Sequence, residues 1–202
     1  MNHPSISLSQ HIRSGATPEE ISQMLNQCAP EDRLTQSRSL GPRDQRRLWE
    51  LCEGRAVTLN QMVPPERTGQ TVRHLGRNTL PVFKIFEKRF YRPSVDDPIL
   101  WGYNEGVTRG LVGPGYFICR ESDQPERGSV VVDYEMIPER APDGWPAIKS
   151  NERGVSRLVY AFMHDYLRSV SEHVTIGRAY RKGAESPNYF TLCRWDDPSS
   201  EA

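Results

Sequence analysis

The sequence predicts a mainly β fold of the α+β kind, an antiparallel β-barrel preceded by N-terminal helices. One short helix is expected before the last two strands. Three observations carry this reading. From Ala56 onward, short runs rich in β-branched and aromatic residues alternate with turn signals such as Gly113-Pro114-Gly115 and Lys182-Gly183. Their number, roughly six to eight, suits a closed barrel, which hides strand edges and offers its mouth as a ligand site. The first 55 residues are poorer in apolar side chains and carry helix-start signals instead.

Thr17-Pro18-Glu19-Glu20 reads as a helix start, with Thr17 as N-cap, Pro18 at the first helical position and Glu20 closing a capping box. Ile21, Met24, Leu25 and Cys28 follow at helical spacing, and Pro30 is expected to end the helix. A second helix starts near Leu40-Gly41-Pro42, carries Leu48, Trp49, Leu51 and Cys52, and stops at Gly54. Residues 1–55 are thus expected to form a helical extension, 56–195 the barrel and 196–202 a frayed tail.

Within the barrel region, Ala56–Val63 reads as a strand broken by Pro64-Pro65, and Gln70–Leu75 as another. Val82, Phe83, Phe86 and Phe90 lie three and four apart, which predicts a helix from Thr79 running into Lys88-Arg89-Phe90-Tyr91. Ile99–Asn104, Tyr116–Glu121 and Ser129–Met136 read as an antiparallel meander. Pro138–Asn151 is a proline-rich loop. Val155, Leu158, Val159, Phe162, Met163 and Tyr166 predict a helix up to about Arg168. Val174–Arg181 and Tyr189–Trp195 read as the last two strands.

The 202 residues hold 26 basic and 26 acidic side chains, a formal net charge of zero. That balance argues against binding driven by nucleic-acid or anionic-membrane electrostatics. No run of apolar residues is long enough to span a bilayer. Met1–Gln10 lacks a secretory-leader pattern, so a reducing cytoplasm with free thiols is expected for Cys28, Cys52, Cys119 and Cys193. Cys119 and Cys193 fit small apolar strand positions; a bridge between them would require neighbouring strands. The basic residues are 22 Arg against only 4 Lys: Lys84, Lys88, Lys149 and Lys182. Arg favours planar, bidentate pairing, whereas Lys is a mobile point charge.

Lys88-Arg89-Phe90, Gly102-Tyr103-Asn104, Val132-Asp133-Tyr134, Asp165 through Arg168 to Val170, Ile176 to Tyr180 and Tyr189 to Leu192 resemble bacterial lipocalin-like (calycin-type) barrels, including GXWXG-type families. Those families show a W-x-G-K-x-F strand and a D-x-[LF]-R-x-V turn before a strand ending in G-x-A. The likeness spans roughly residues 80–195. It departs at Glu87, where Gly would be expected, and no Trp precedes it. The resemblance implies a small-molecule-binding barrel and supplies no established catalytic residues.

Candidate chemistry is dispersed. Tyr103, Asp133 and His164 are the candidate acid–base residues. Trp101, Tyr103, Asn104, Tyr116, Tyr134 and Arg178 are the candidate ligand contacts. Trp101 and Tyr103 share one strand face; Asp133 and Glu135 share another, with Tyr134 opposite. An inward Tyr or Asn104 would need a polar partner, and could polarise a carbonyl or protonate an enolate. An inward Arg must pair or bind an anion. Arg178 is the best inward candidate, with Arg89 and Arg194 behind it; the bland alternative is an outward, solvated side chain. On the expected helix, Asp165 and Arg168 are placed to form an ion pair, either fixing the turn before the last two strands or acting as a charged clamp at the barrel mouth, while adjacent His164 and Asp165 do not face each other.

No metal site is expected, since the five histidines show no HxH, HxxxH or HExxH spacing. No cofactor is expected either, as GxxxxGK[ST], GxGxxG and GxSxG are all missing. The expected function is binding of a small apolar or amphipathic molecule with a carbonyl or carboxylate handle. The alternatives are a cofactor-free isomerase, cyclase or lyase on the same barrel, or an interaction module that forms a homodimer through its N-terminal helices.

Overall fold

In the computed structural model, which describes residues 7–106 and 109–195, the chain opens with four short helices: α1 (Leu8–Ser14), α2 (Pro18–Gln27), α3 (Pro30–Ser39) and α4 (Pro42–Leu51). The expected tail, 196–202, lies outside the described residues. Proline occupies the first helical position of α2, α3 and α4, where its missing N–H costs nothing. The Thr17–Glu20 capping box forms, and Ser7 with Gln10 builds a second one at α1. Pro30 does end α2, yet it also opens α3. Periodicity missed α3 because that helix is polar on nearly every face. Its buried Arg33 donates to the carbonyls of Leu25 and Cys28, both at 3.0 Å, and so caps the end of α2.

The barrel follows: β1 (Thr71–Asn78), β2 (Ile85–Tyr91), β3 (Ile99–Glu105), β4 (Phe117–Glu121), β5 (Val130–Asp133), β6 (Met163–Ser169), β7 (Val174–Arg181) and β8 (Ala184–Trp195). Each strand is antiparallel to the next, and β8 closes on β1. This is an eight-stranded closed antiparallel barrel, compatible with a lipocalin-like fold. Three short helices belong to it: α5 (Leu59–Met62), α6 (Arg109–Val112) and α7 (Gly154–Tyr160).

Three local expectations are corrected. Ala56–Val63 holds α5 rather than a strand. Thr79–Phe90 is a turn followed by β2 rather than a helix; the spacing of four between Phe86 and Phe90 also places two residues on one face of a strand. The helix expected to reach Arg168 stops at Tyr160. Phe162, at φ 59°, reverses the chain, and β6 begins at Met163.

One set of alternate residues lines the interior. It runs through Val72, Phe90, Leu100, Phe117, Cys119, Val130, Val132, Leu167, Phe190 and Leu192, all buried. Gly177 shows how tightly this space is filled, because a Cβ there would overlap the Phe190 ring. α5 plugs one end with Leu59, Met62 and Val63. Its carbonyls are held by side chains from the strand ends: His74 Nε2 lies 2.8 Å from Met62 O, Arg92 Nη2 donates to Val63 O at 2.8 Å, and Arg194 Nη1 to Gln61 O at 2.5 Å.

A second core lies outside the barrel. Leu8, Ile12, Ile21, Leu25, Leu40, Leu48 and Trp49 form one buried cluster with the outward-facing Val131, Tyr166, Ile176, Tyr180 and Tyr189; α3 and α4 lie on β7, β8 and β1, and α1 and α2 pack on the other helices. Arg168 fastens this layer. Its Nη1 donates to Trp49 O at 2.9 Å, its Nη2 to Glu126 O at 3.0 Å, and its guanidinium lies 3.9 Å from the Trp49 ring centroid. The expected Asp165–Arg168 pair does not form, since residues three apart on a strand point to opposite faces. Cys119 and Cys193 are free; they lie in the interior and the outer core respectively, on strands that are not neighbours. Among the described residues, no helix is long and apolar enough to cross a membrane.

Candidate functional site

Toward the end of the barrel opposite α5, the apolar lining gives way to four polar side chains. Register places them there. Lys88 on β2 pairs with Asn104 on β3, while Asp165 on β6 pairs with Val132 on β5, two residues before Tyr134. All four belong to the inward-facing set. Lys88 Nζ donates to Asn104 Oδ1 at 2.9 Å and lies 3.2 Å from Asp165 Oδ2. It also donates to Tyr134 Oη in a short hydrogen bond. The Tyr134 hydroxyl lies 3.3 Å from Asp165 Oδ2, and Asn104 Nδ2 donates to it at 3.1 Å and to Gly115 O at 3.1 Å.

The surroundings are aromatic. Rings of Tyr134, Phe117, Phe190 and Phe86 stand 4.9, 5.1, 5.5 and 5.7 Å from the Lys88 nitrogen. The Lys88 and Asp165 side chains are 3% and 5% exposed. Burial therefore dominates both ionisations: it pushes the Lys88 amine below its usual pKa and the Asp165 carboxyl above its own, against their mutual attraction. The pair is driven toward its neutral forms. Burial likewise lifts the Tyr134 phenol well above 10.0, with Asp165 adding to the effect, so it stays protonated. This arrangement brings an amine, a carboxyl and a phenol within hydrogen-bonding distance of one another, with an amide beside them. It can hold a carbonyl or carboxylate oxygen and exchange a proton with it.

The site is covered by α7. Tyr160, the last residue of that helix, stacks on Tyr134 at 5.2 Å with the rings 15° apart. Gly115, at φ 54°, leaves the space the Tyr160 ring occupies. Burial raises the Tyr160 phenol to about 12. Around this end stand exposed apolar side chains: Val82, Phe83 and Ile85 from the β1–β2 turn, Leu158 and Val159 from α7, and Phe162 after it. Leu158 is 72% and Phe83 60% exposed.

The residues singled out from sequence divide between two faces. Asn104 and Tyr134 lie in the interior site. Trp101, Tyr103 and Tyr116 lie on the outer wall, beneath the 138–151 loop. There Trp145 packs on Tyr103 at 4.7 Å and donates from Nε1 to Thr71 Oγ1 at 2.8 Å, Trp101 stacks on Tyr91 at 5.8 Å, and Tyr116 donates to Pro146 O. This cluster pins the loop to the barrel.

Asp133 and His164 are also on the outer wall, 3.3 Å apart, with Arg120 donating to Asp133 at 3.2 Å. The hydrogen bond from His164 raises the histidine's pKa, while His164 and Arg120 hold Asp133 below its usual value despite burial. Tyr103 is not brought to this pair. Arg178 is corrected as well. It faces outward, paired with Glu185 at 2.8 Å and lying 5.2 Å from the Tyr189 ring. Arg89 is outward too, on Glu87 at 2.7 Å. Glu87 itself accepts from Arg73 and Arg89 on the outer wall. Arg194 shares the inward register but belongs to the plugged end, on Gln61 O and beside His173 Nδ1 at 3.1 Å.

Lys88 and Tyr160 were missed as site residues, and Asp165 was read only as the partner of Arg168. Two signals pointed at Lys88 and Asp165. Lys88 is one of four lysines in an arginine-rich chain and sits at the lysine of the W-x-G-K-x-F pattern, and Asp165 opens the D-x-[LF]-R-x-V pattern. Reading β6 as helix removed Asp165 from the barrel. The G-x-A ending also gains a meaning, since Ala179 pairs with Asp165 and keeps the site wall small. Among the described residues, no group of three or more His, Cys, Asp or Glu side chains could hold a metal ion. No protein-family model, curated protein or solved structure matches the chain.

Proposed function

We propose that this barrel binds a small, largely apolar molecule by a carbonyl or carboxylate handle placed against Lys88, Asp165, Tyr134 and Asn104. The single observation that carries the reading is the polar quartet itself: a buried amine–carboxyl pair set among aromatic rings, at the end of the barrel bordered by exposed apolar side chains. A buried ion pair contributes little or nothing to stability compared with an apolar replacement. Keeping one at this position therefore favours a role in recognition. The aromatic rings suit an apolar body, and the quartet suits one polar end. Access runs past Tyr160, so α7 moves when the ligand enters. The likeness to lipocalin-like, GXWXG-type barrels supports the same reading, because Lys88 and Asp165 stand at the polar positions of its two motifs.

A test uses a matched set of eight-carbon probes: octanoate, 2-octanone and octane, titrated by calorimetry and tryptophan fluorescence. Octanoate and 2-octanone are expected to bind at least about tenfold more tightly than octane, a difference of roughly 1.4 kcal/mol. Lys88→Met should abolish that preference, and Tyr160→Ala should speed binding. Absence of binding by all three probes to both the wild type and Tyr160→Ala, or an unchanged preference in Lys88→Met, would overturn the reading.

The second reading is an enzyme, a cofactor-free isomerase, cyclase or lyase. Its support is that Lys88 and Asp165 stand at hydrogen-bonding distance with their proton affinities drawn toward each other, which eases the passage of a proton between them, as general acid–base chemistry requires.

A further inference from the structure

Arg is the residue this chain uses to make ion pairs: Arg73 and Arg89 on Glu87, Arg13 on Asp44, Arg120 on Asp133 and Arg178 on Glu185. A guanidinium would also fit a carboxylate better, by two parallel hydrogen bonds. The cation that meets a carboxylate in the interior polar site is nevertheless a lysine. What lysine offers and arginine lacks is an amine that can lose its proton and act as a nucleophile. The surroundings of Lys88 are those that activate such an amine: aromatic rings within 5.7 Å, and a carboxyl 3.2 Å away to take its proton.

We propose that Lys88 forms a reversible imine with the carbonyl carbon of an aldehyde or ketone bound in the barrel. This rests on the ligand-binding reading above and narrows its ligand to carbonyl compounds. The neutral amine attacks the carbonyl carbon, and the C=O electron pair moves to oxygen. That oxygen takes a proton from the Asp165 carboxyl, giving a carbinolamine. The nitrogen returns its extra proton to the same carboxyl. The nitrogen lone pair then expels the hydroxyl, which leaves as water with a proton from Asp165, and loss of the remaining N–H proton to Asp165 yields the neutral imine. The sum is one amine and one carbonyl giving one imine and one water, with no oxidant or reductant. Asn104, 2.9 Å from Nζ, orients the amine throughout. Burial, which lowers the Lys88 pKa, favours the neutral form that the first step needs.

The other three lysines provide an internal control, as Lys84, Lys149 and Lys182 are all exposed. The full chain is incubated with octanal and sodium borohydride is added to convert imines to stable secondary amines. Peptide mass spectrometry then locates the octyl group. The expected result is labelling of Lys88 at least about tenfold faster than the three surface lysines, as expected for a desolvated amine, and slowed by excess octanoate, which occupies the site but forms no imine. Tyr160→Ala, with its cover removed, should label faster still. A parallel calorimetric titration with octanoate reports non-covalent binding. If octanoate binds while Lys88 stays unlabelled in both the wild type and Tyr160→Ala, imine formation is overturned and the binding site stands. If octanoate does not bind and Lys88 stays unlabelled, both fall. Equal labelling of all four lysines also overturns the proposal.

Discussion

At the scale of single residues, Lys88 and Asp165 separate a functional pair from a structural one. Removing one partner leaves the other buried without its hydrogen-bonding partner, at a cost of about 1–3 kcal/mol. Lys88→Met alone is therefore expected to be destabilised by about that amount in urea denaturation. Replacing both, as Lys88→Met with Asp165→Leu, should restore stability to within about 1 kcal/mol of the wild type or exceed it. A double variant as unstable as the sum of its parts would mean the pair holds the fold together.

His164 provides a second residue-scale expectation. Its hydrogen bond from Nε2 to Asp133 raises its pKa above the ordinary 6.5. The stabilisation it adds is complete below pH 6.5, and is lost as pH rises through the raised value. Stability curves measured from pH 5 to pH 9 should show this decline, and His164→Gln should flatten that part of the profile. The two residues stand side by side on β5 and β6 although neither strand could place them together in sequence. That contact depends on the register between Asp133 and His164, which only the closed sheet sets.

At the scale of elements, local signals were legible where they act locally. The Thr17–Glu20 capping box, the proline starts, the β3–β5 meander and the last two strands all follow from neighbouring residues. Elements whose residues serve two geometries were not. Phe86 and Phe90 satisfy both a helical and a strand spacing, and Met163 continued the apolar stripe of α7 into what is β6. α3 offered no apolar stripe to detect. Close packing between strands makes a sharp expectation here. Gly177→Ala would drive a methyl into the Phe190 ring and is expected to cost about 1–3 kcal/mol. Arg168→Met would leave Trp49 O and Glu126 O without their donor and release the Trp49 ring. A loss of about 2–3 kcal/mol is expected, with α4 exchanging its amide hydrogens faster than the barrel strands. Equal exchange rates for α4 and β7 in that variant would show that Arg168 does not fasten the helical layer.

At the scale of the whole molecule, two cores share one wall. The inner faces of the strands enclose the aromatic interior, and the outer faces of β7, β8 and β1 carry the helical layer. The buried apolar residues of α1, α2 and α4 belong to that outer core, so a homodimer through these helices would have to use their other faces. The net charge of zero spoke only to partners outside the molecule. It concealed that one of only four lysines is sealed inside the barrel, while arginine serves nearly every ion pair elsewhere. Half of the interior quartet, Asn104 and Tyr134, was legible from strand alternation. Lys88 and Asp165 depended on two segments being strands rather than helices.

That same scarcity makes the central claim directly measurable. With lysine labelled by ¹³C at Cε, the chain gives signals from only four lysines, of which one reports on the interior. Titration with 2-octanone should shift the Lys88 signal while Lys84, Lys149 and Lys182 stay in place, and Tyr160→Ala should sharpen the exchange. A Lys88 signal that does not move, in a titration reaching millimolar ketone with both the wild type and Tyr160→Ala, would contradict a ligand site at this end of the barrel.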